Sequence, residues 1–135
     1  MKEVVDERLR EWTYGDYEGL KTAEIKALRA ERGLVEAPGR EWDIWRDGCE
    51  GGESPAEVTE RVDAFIEEVV RGQWEGGVAG GDVLVVAHGH LCRALIKRWV
   101  GLGLGDEVLL LLDVGAAGVL SYAHHNKEER ALMIG

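Results

Sequence analysis

Residues 83–95 read Val83-Leu84-Val85-Val86-Ala87-His88-Gly89-His90-Leu91-Cys92-Arg93-Ala94-Leu95, and their pattern changes abruptly at His88. The apolar run 83–87 is short and continuous, as in a strand buried on both faces. His88-Gly89-His90 then makes a polar turn, and Leu91, Ala94, Leu95 and Trp99 follow at helical spacing. Buried strand, polar turn and amphipathic helix form the rhythm of an α/β protein with a largely parallel central sheet and helices on both faces.

Upstream, Ser54-Pro55-Ala56-Glu57 is a capping box with proline at the first helical position. Val58, Val62, Phe65, Ile66, Val69 and Val70 continue it at helical spacing, which predicts a helix of about four turns with one buried face. Gly76-Gly77 and Gly80-Gly81 read as a flexible connection into the 83–87 strand. Residues 9–20, LREWTYGDYEGL, read as a packed loop, and Thr22 as the N-cap of a helix ended by Gly33 and Pro38-Gly39. The Gly-rich stretch 40–53, with Trp42 and Trp45, reads as a structured loop across the core surface. Downstream, Gly118–Ala123 and Ala131–Ile134 read as strands around a polar turn at His124–Glu129.

The chain has 135 residues, enough for one domain, and 45% apolar residues, as in a globular protein. Its net charge of −10 argues against nucleic acid as a partner, which needs clustered Lys and Arg. A small phosphate site remains open, because salt screens charges beyond about 8 Å and a few local cations decide a pocket. No stretch approaches the ~20 apolar residues of a membrane span, and residues 1–8 carry no signal-peptide core. Cys49 and Cys92 fit no CxxC spacing and read as free thiols of a cytoplasmic protein.

In open α/β sheets ligands bind beyond the carboxyl ends of the strands, where helix N-termini favour anions. His88 sits there, and Arg93 lies close enough along the helix to turn back toward the same place. A His and an Arg at a helix start suit a phosphate. The alternative is that His88 merely ends a strand and Arg93 is a solvated charge. A metal reading of His88-Gly89-His90 lacks the third and fourth ligands zinc needs, and His124 and His125 sit in an exposed turn. Glu11 and Glu18 flank the aromatic loop, where a carboxyl beside Trp12 and Tyr14 is partly desolvated and can serve as a general acid. Both are otherwise ordinary surface acids among 26 Asp and Glu.

Three pieces carry a resemblance: residues 9–20, Gly51-Gly52-Glu53-Ser54, and Val85-Val86-Ala87-His88-Gly89-His90. In this order they resemble the histidine phosphatase superfamily, with its phosphoglycerate-mutase-like fold, over essentially the whole chain. Trp45-Arg46-Asp47-Gly48-Cys49, Asp113-Val114-Gly115 and Gly118-Val119-Leu120-Ser121-Tyr122 look closest to the fungal branch that dephosphorylates sedoheptulose 1,7-bisphosphate.

The resemblance implies Glu11 as proton donor and His88 as the second catalytic histidine. It implies Tyr14, Gly89 and Arg93 as substrate-phosphate contacts, with no metal and no cofactor. The implied function is hydrolysis of a small phosphomonoester, with a mutase or an inactive phosphate-binding remnant as alternatives. Members of the family begin with a strand ending in Arg-His-Gly-Glu, whose histidine attacks phosphorus, and this chain contains no Arg-His-Gly. Residues 1–135 are therefore expected to be a single, N-terminally truncated domain lacking roughly two βα units, at about 30 residues or more per βαβ crossover. Such a chain is expected to be inactive or nearly so alone.

Overall fold

The computed structural model describes residues 2–34, 36–74 and 81–134. Among these residues four helices appear in chain order: α1 (Thr22–Glu31), α2 (Ile44–Asp47), α3 (Pro55–Trp74) and α4 (Gly89–Trp99). Two strands follow, β1 (Val119–Tyr122) and β2 (Arg130–Met133), and short 3-10 turns cover Glu7–Leu9, Gly15–Tyr17 and Ala123–His125.

The capping box forms as its sequence dictates. Ser54 N–H donates to Glu57 at 2.8 Å, and Glu57 N–H donates to the Ser54 hydroxyl at 3.2 Å. The helix it starts, α3, is 20 residues long, more than a turn beyond the predicted four turns. Val58, Val62, Phe65 and Ile66 form its buried stripe, and Arg61 is buried with them. The stripe packs on α4, whose Leu91, Ala94, Leu95 and Trp99 are buried in turn. Trp12, Tyr17, Trp42 and Ile44 close the core from the loop side.

Three expectations are corrected. The N-cap of α1 is Lys21, whose backbone N–H donates to the Glu24 carboxylate at 2.6 Å, so Thr22 is the first helical residue. The 40–53 stretch is more than a surface loop. It contains α2, capped by Asp43, and it buries Trp42, Gly48, Cys49 and Glu53.

The third correction concerns the sheet. Among the described residues the only ladder is antiparallel, pairing Val119 with Met133 through Tyr122 with Arg130. The predicted buried strand 83–87 pairs with no other strand among the described residues, and Val83, Leu84 and Val86 are exposed. The run 108–111 shares this state, with Leu109 and Leu111 almost wholly exposed. A parallel strand acquires its burial from neighbours on both edges and helices on both faces. Neither run has a ladder partner among the described residues, so Val83, Leu84, Val86, Leu109 and Leu111 stay exposed, while Val85 and Ala87 pack partly against the core. The Gly76-Gly77 connection and Gly80 lie outside the described residues. His124 and His125 occupy the tail turn at positive φ and are exposed, as expected.

The loop that carries Glu11 and Tyr14 is fixed by close backbone packing. Gly15 has φ +56, and a Cβ there would lie 2.3 Å from Gly51 and Gly52 backbone atoms. Asp16 N–H donates to Glu50 O at 2.9 Å, and Glu53 N–H donates to Thr13 O at 2.8 Å, holding the two loops together. Gly15→Ala is expected to destabilise the chain by about 1–3 kcal/mol, since left-handed backbone and a backbone overlap both oppose it. Urea unfolding checks this, and an unchanged midpoint would show that the 13–16 and 50–53 loops are not in contact in solution.

Candidate active site

The start of α4 organises the site. His88 is its N-cap, with extended backbone (φ −119, ψ 167) and an exposed side chain that caps nothing. The N–H groups of the first turn have no intrahelical acceptor and form an anion-favouring end. Glu11 reaches it from the aromatic loop. Its carboxylate accepts from Leu91 N–H at 2.9 Å, His90 N–H at 3.1 Å and its neighbour Trp12 N–H at 2.9 Å. Gly89 N–H is left without an acceptor among the described residues, and apart from its chain neighbours and its own helix backbone no described atom lies within 4 Å of where a Gly89 Cβ would stand.

Tyr14 arrives beside Glu11 on the same loop. Its hydroxyl lies 2.7 Å from Nδ1 of His90, with the two rings edge to face at 5.5 Å. Burial raises the Tyr14 pKa, and the Glu11 and Glu18 carboxylates add to the rise, so the phenol keeps its proton. His90 moves the other way. Burial lowers its pKa and the Arg93 charge adds to that, while Glu11 partly opposes it. Arg93 folds back along the helix, donating from Nε to Gly89 O at 3.0 Å, with its guanidinium 5.6 Å from the Trp45 ring centre.

Trp45 therefore forms the floor shared by these groups. Trp12 meets it edge-on at 5.6 Å, the His90 ring lies 5.6 Å away, and Lys97 Nζ sits 4.7 Å over it. Lys97 is buried, and it donates to Leu104 O at 2.8 Å and Asp106 O at 3.0 Å. Its pKa is lowered by burial, with Asp43 and Asp106 opposing. An adjacent cavity of about 420 Å³ is lined by Asp43, Trp45, Arg46, Arg93, Lys97 and residues 105–110. Its three cationic side chains are matched by Asp43, Asp106 and Glu107, so it is not a strongly cationic pocket.

Beneath the loop lies a buried ion pair. Arg61 donates from Nε to one Glu53 oxygen at 2.8 Å and from a terminal nitrogen to the other at 2.9 Å. The same guanidinium donates to Arg8 O at 2.7 Å, Arg10 O at 2.9 Å and Glu11 O at 3.3 Å. Glu53 also accepts from Thr13 N–H at 2.9 Å, and its backbone carbonyl accepts from the Trp12 indole at 2.9 Å. Burial acts to raise the Glu53 pKa, but Arg61 and Thr13 outweigh it and hold the carboxylate below its ordinary range.

Of the residues read from the sequence, Glu11, Tyr14, Gly89 and Arg93 converge on the start of α4. His88 stands at the same point but makes no side-chain hydrogen bond to the other four among the described residues. Glu18 is exposed, and its charge adds to the rise in the Cys49 pKa, which burial pushes up to about 11. Among the described residues no group of three metal-ligating side chains occurs. The sequence reading missed His90 as a site residue, although its spacing of three from Arg93 puts both on one helix face. It also missed Trp45, Glu53 and Arg61.

A profile of the histidine phosphatase superfamily, branch 1, matches residues 1–134. The chain belongs to this superfamily. A sedoheptulose 1,7-bisphosphatase of Saccharomyces cerevisiae is 41% identical, the match covering 96% of this chain and 59% of that protein. An acid phosphatase of Mycobacterium tuberculosis is 34% identical over 86% of this chain and 50% of its own length. The solved structure of an open reading frame product of Mycobacterium tuberculosis superposes with a TM-score of 0.72 at 33% identity. That superposition covers 94% of this chain and 56% of the other, and it establishes the superfamily's α/β fold for this histidine phosphatase chain. The chain thus spans 50% to 59% of the length of these relatives. Among the described residues no helix is long and apolar enough to cross a membrane.

Proposed function

We propose that this chain contributes the acid and phosphate-holding part of a phosphohistidine-type phosphomonoesterase. Its substrate is a small phosphorylated metabolite, a sugar bisphosphate such as sedoheptulose 1,7-bisphosphate. One observation carries the reading: Glu11, Tyr14, Gly89 and Arg93 come from separate parts of the sequence to one helix start capped by His88. The names of the yeast and mycobacterial relatives support the same chemistry.

In this reading a histidine attacks phosphorus and the P–O bond to the sugar breaks, with its electron pair passing to the leaving oxygen. The attacking histidine belongs to an Arg-His-Gly-Glu segment that these 135 residues do not contain. An alkoxide leaves poorly, so Glu11 gives it a proton as the bond breaks. For this step Glu11 carries the proton and turns one oxygen from the helix start toward the leaving group. His88 and Arg93 neutralise the phosphoryl oxygens, and Tyr14 and the open Gly89 N–H orient them. Water then releases phosphate from the phosphohistidine, with Glu11, now ionised, taking the proton.

The experiment joins the Arg-His-Gly-Glu segment of a relative ahead of residue 1 and compares two leaving groups. Glu11→Gln is expected to slow hydrolysis of an alkyl phosphate by ~10²-fold, because it removes the general acid. p-Nitrophenyl phosphate, whose leaving group departs without a proton, should change far less. Equal slowing of both substrates would make Glu11 a binding or structural residue and pass the acid role to Glu18.

A further inference from the structure

The Glu11 side chain turns toward α4, but its backbone is held from the opposite side of the loop. Residues 10–14 belong to no helix or strand, so their main-chain polar groups must find partners elsewhere. Arg61, buried on α3, supplies donors on one side of Glu11. It donates to Arg8 O at 2.7 Å, to Arg10 O at 2.9 Å and, at a longer 3.3 Å, to Glu11 O itself. Glu53 holds the other side. Its carboxylate accepts from Thr13 N–H and its backbone carbonyl from the Trp12 indole, both at 2.9 Å, and its own N–H donates to Thr13 O at 2.8 Å.

The two side chains lock each other through both carboxylate oxygens, at 2.8 and 2.9 Å, the fork geometry that fixes orientation as well as distance. Burying two charges is a poor route to stability, since a well-packed apolar pair commonly does as well or better. An apolar pair, however, offers no donors to the carbonyls of residues 8, 10 and 11 and no acceptor to Thr13 N–H. The pair therefore does for this segment what a strand neighbour would do for a strand, with Glu11 at its middle.

We propose that Glu53 and Arg61 are positioning residues for Glu11: they fix the main chain on both sides of it and so aim its carboxyl at the start of α4. Neither touches the substrate, and both act through Glu11. The catalytic use of this positioning rests on the phosphomonoesterase reading, in which Glu11 gives a proton to the leaving oxygen. A displacement of about 1 Å in such a group is costly, because proton transfer needs hydrogen-bond reach. The positioning itself is a property of the 135-residue chain and is read without catalysis.

Amide hydrogen exchange reads the position of Glu11, because His90 and Leu91 N–H donate to its carboxylate and first-turn amides have no intrahelical acceptor. Glu53→Gln combined with Arg61→Leu removes the pair without stranding a charge. In this variant His90 and Leu91 should exchange about tenfold faster relative to Leu95 of the same helix, the scale of one good hydrogen bond. Glu11→Ala should give the same loss, and adding the double change to Glu11→Ala should speed those two amides no further. Arg61→Lys, which keeps the buried charge, should fall between, and it carries the test if the double variant does not fold. Wild-type exchange at His90 and Leu91, or an undiminished effect in the Glu11→Ala background, would overturn the proposal and leave the pair a stabilising one. Titration of the wild-type chain with inorganic phosphate keeps the two ideas apart. If phosphate leaves the start of α4 unmoved, the phosphomonoesterase reading falls and takes the catalytic use of the pair with it, while the exchange result still decides the positioning.

Discussion

Arg61→Leu should lower the stability of the chain by about 3–5 kcal/mol, the range for breaking a buried ion pair by removing one partner. Arg61 is 9% exposed and Glu53 8%, so neither charge can turn to water. Leucine fills part of the space but leaves the Glu53 carboxylate with Thr13 N–H at 2.9 Å and the half-exposed Arg10 at 3.2 Å. It also removes the donor shared by the carbonyls of Arg8, Arg10 and Glu11. Arg61→Lys keeps a charge but cannot span a bidentate carboxylate and three carbonyls, so it should recover only part of the loss. Glu53→Gln combined with Arg61→Leu should cost less than the sum of the single changes, because the stranded charge is gone. Urea unfolding with an unchanged m-value measures all three. A loss below about 1 kcal/mol for Arg61→Leu, the scale of an exposed pair, would mean that the pair is solvated and does not hold the Glu11 loop.

His88→Ala should behave in the opposite way. The side chain is exposed and caps nothing, so the variant should melt with the wild type. With the nucleophile segment supplied, however, kcat should drop by ~10²–10³-fold, the cost of losing one preorganised donor to developing charge. Alkyl and aryl phosphates should suffer alike, since His88 acts on the phosphoryl oxygens and not on the leaving group. Stopped-flow or steady-state kinetics on both substrates, beside a thermal melt, checks this. A drop confined to alkyl phosphates would reassign His88 to proton transfer, and a fall in melting temperature would make it structural.

The sequence exposed those features whose cause is local. The α3 cap depends on four adjacent residues, Ser54 to Glu57, and it forms with the donors and acceptors those residues dictate. The buried faces of α3 and α4 follow from helical spacing alone. Glu11 and Arg93 could be noted beside aromatic residues and a strand end, but the residues alone left them open as surface charges, and their roles and that of Tyr14 came from the resemblance to the histidine phosphatase superfamily. Their convergence was not legible, since Glu11 lies 80 positions from the Leu91 N–H it caps. Arg61 was invisible for a related reason. A charged residue between Glu60 and Val62 on an amphipathic helix looks solvated until Glu53 and three loop carbonyls are seen around it. The run 83–87 shows the converse limit. Its composition is that of a buried strand, yet burial depends on neighbours that the run does not itself supply.

The proposed function places phosphate at one location, the start of α4. Titrating the 135-residue chain with inorganic phosphate while following backbone amide and side-chain NMR signals tests it most directly. The expected result is a saturable response led by His88, Gly89, Tyr14 and Arg93, with Glu11→Gln binding more tightly because a carboxylate no longer competes for the helix start. If those signals stay still while Asp43, Arg46 and Asp106 of the neighbouring cavity respond, phosphate binds in that cavity and not at the start of α4.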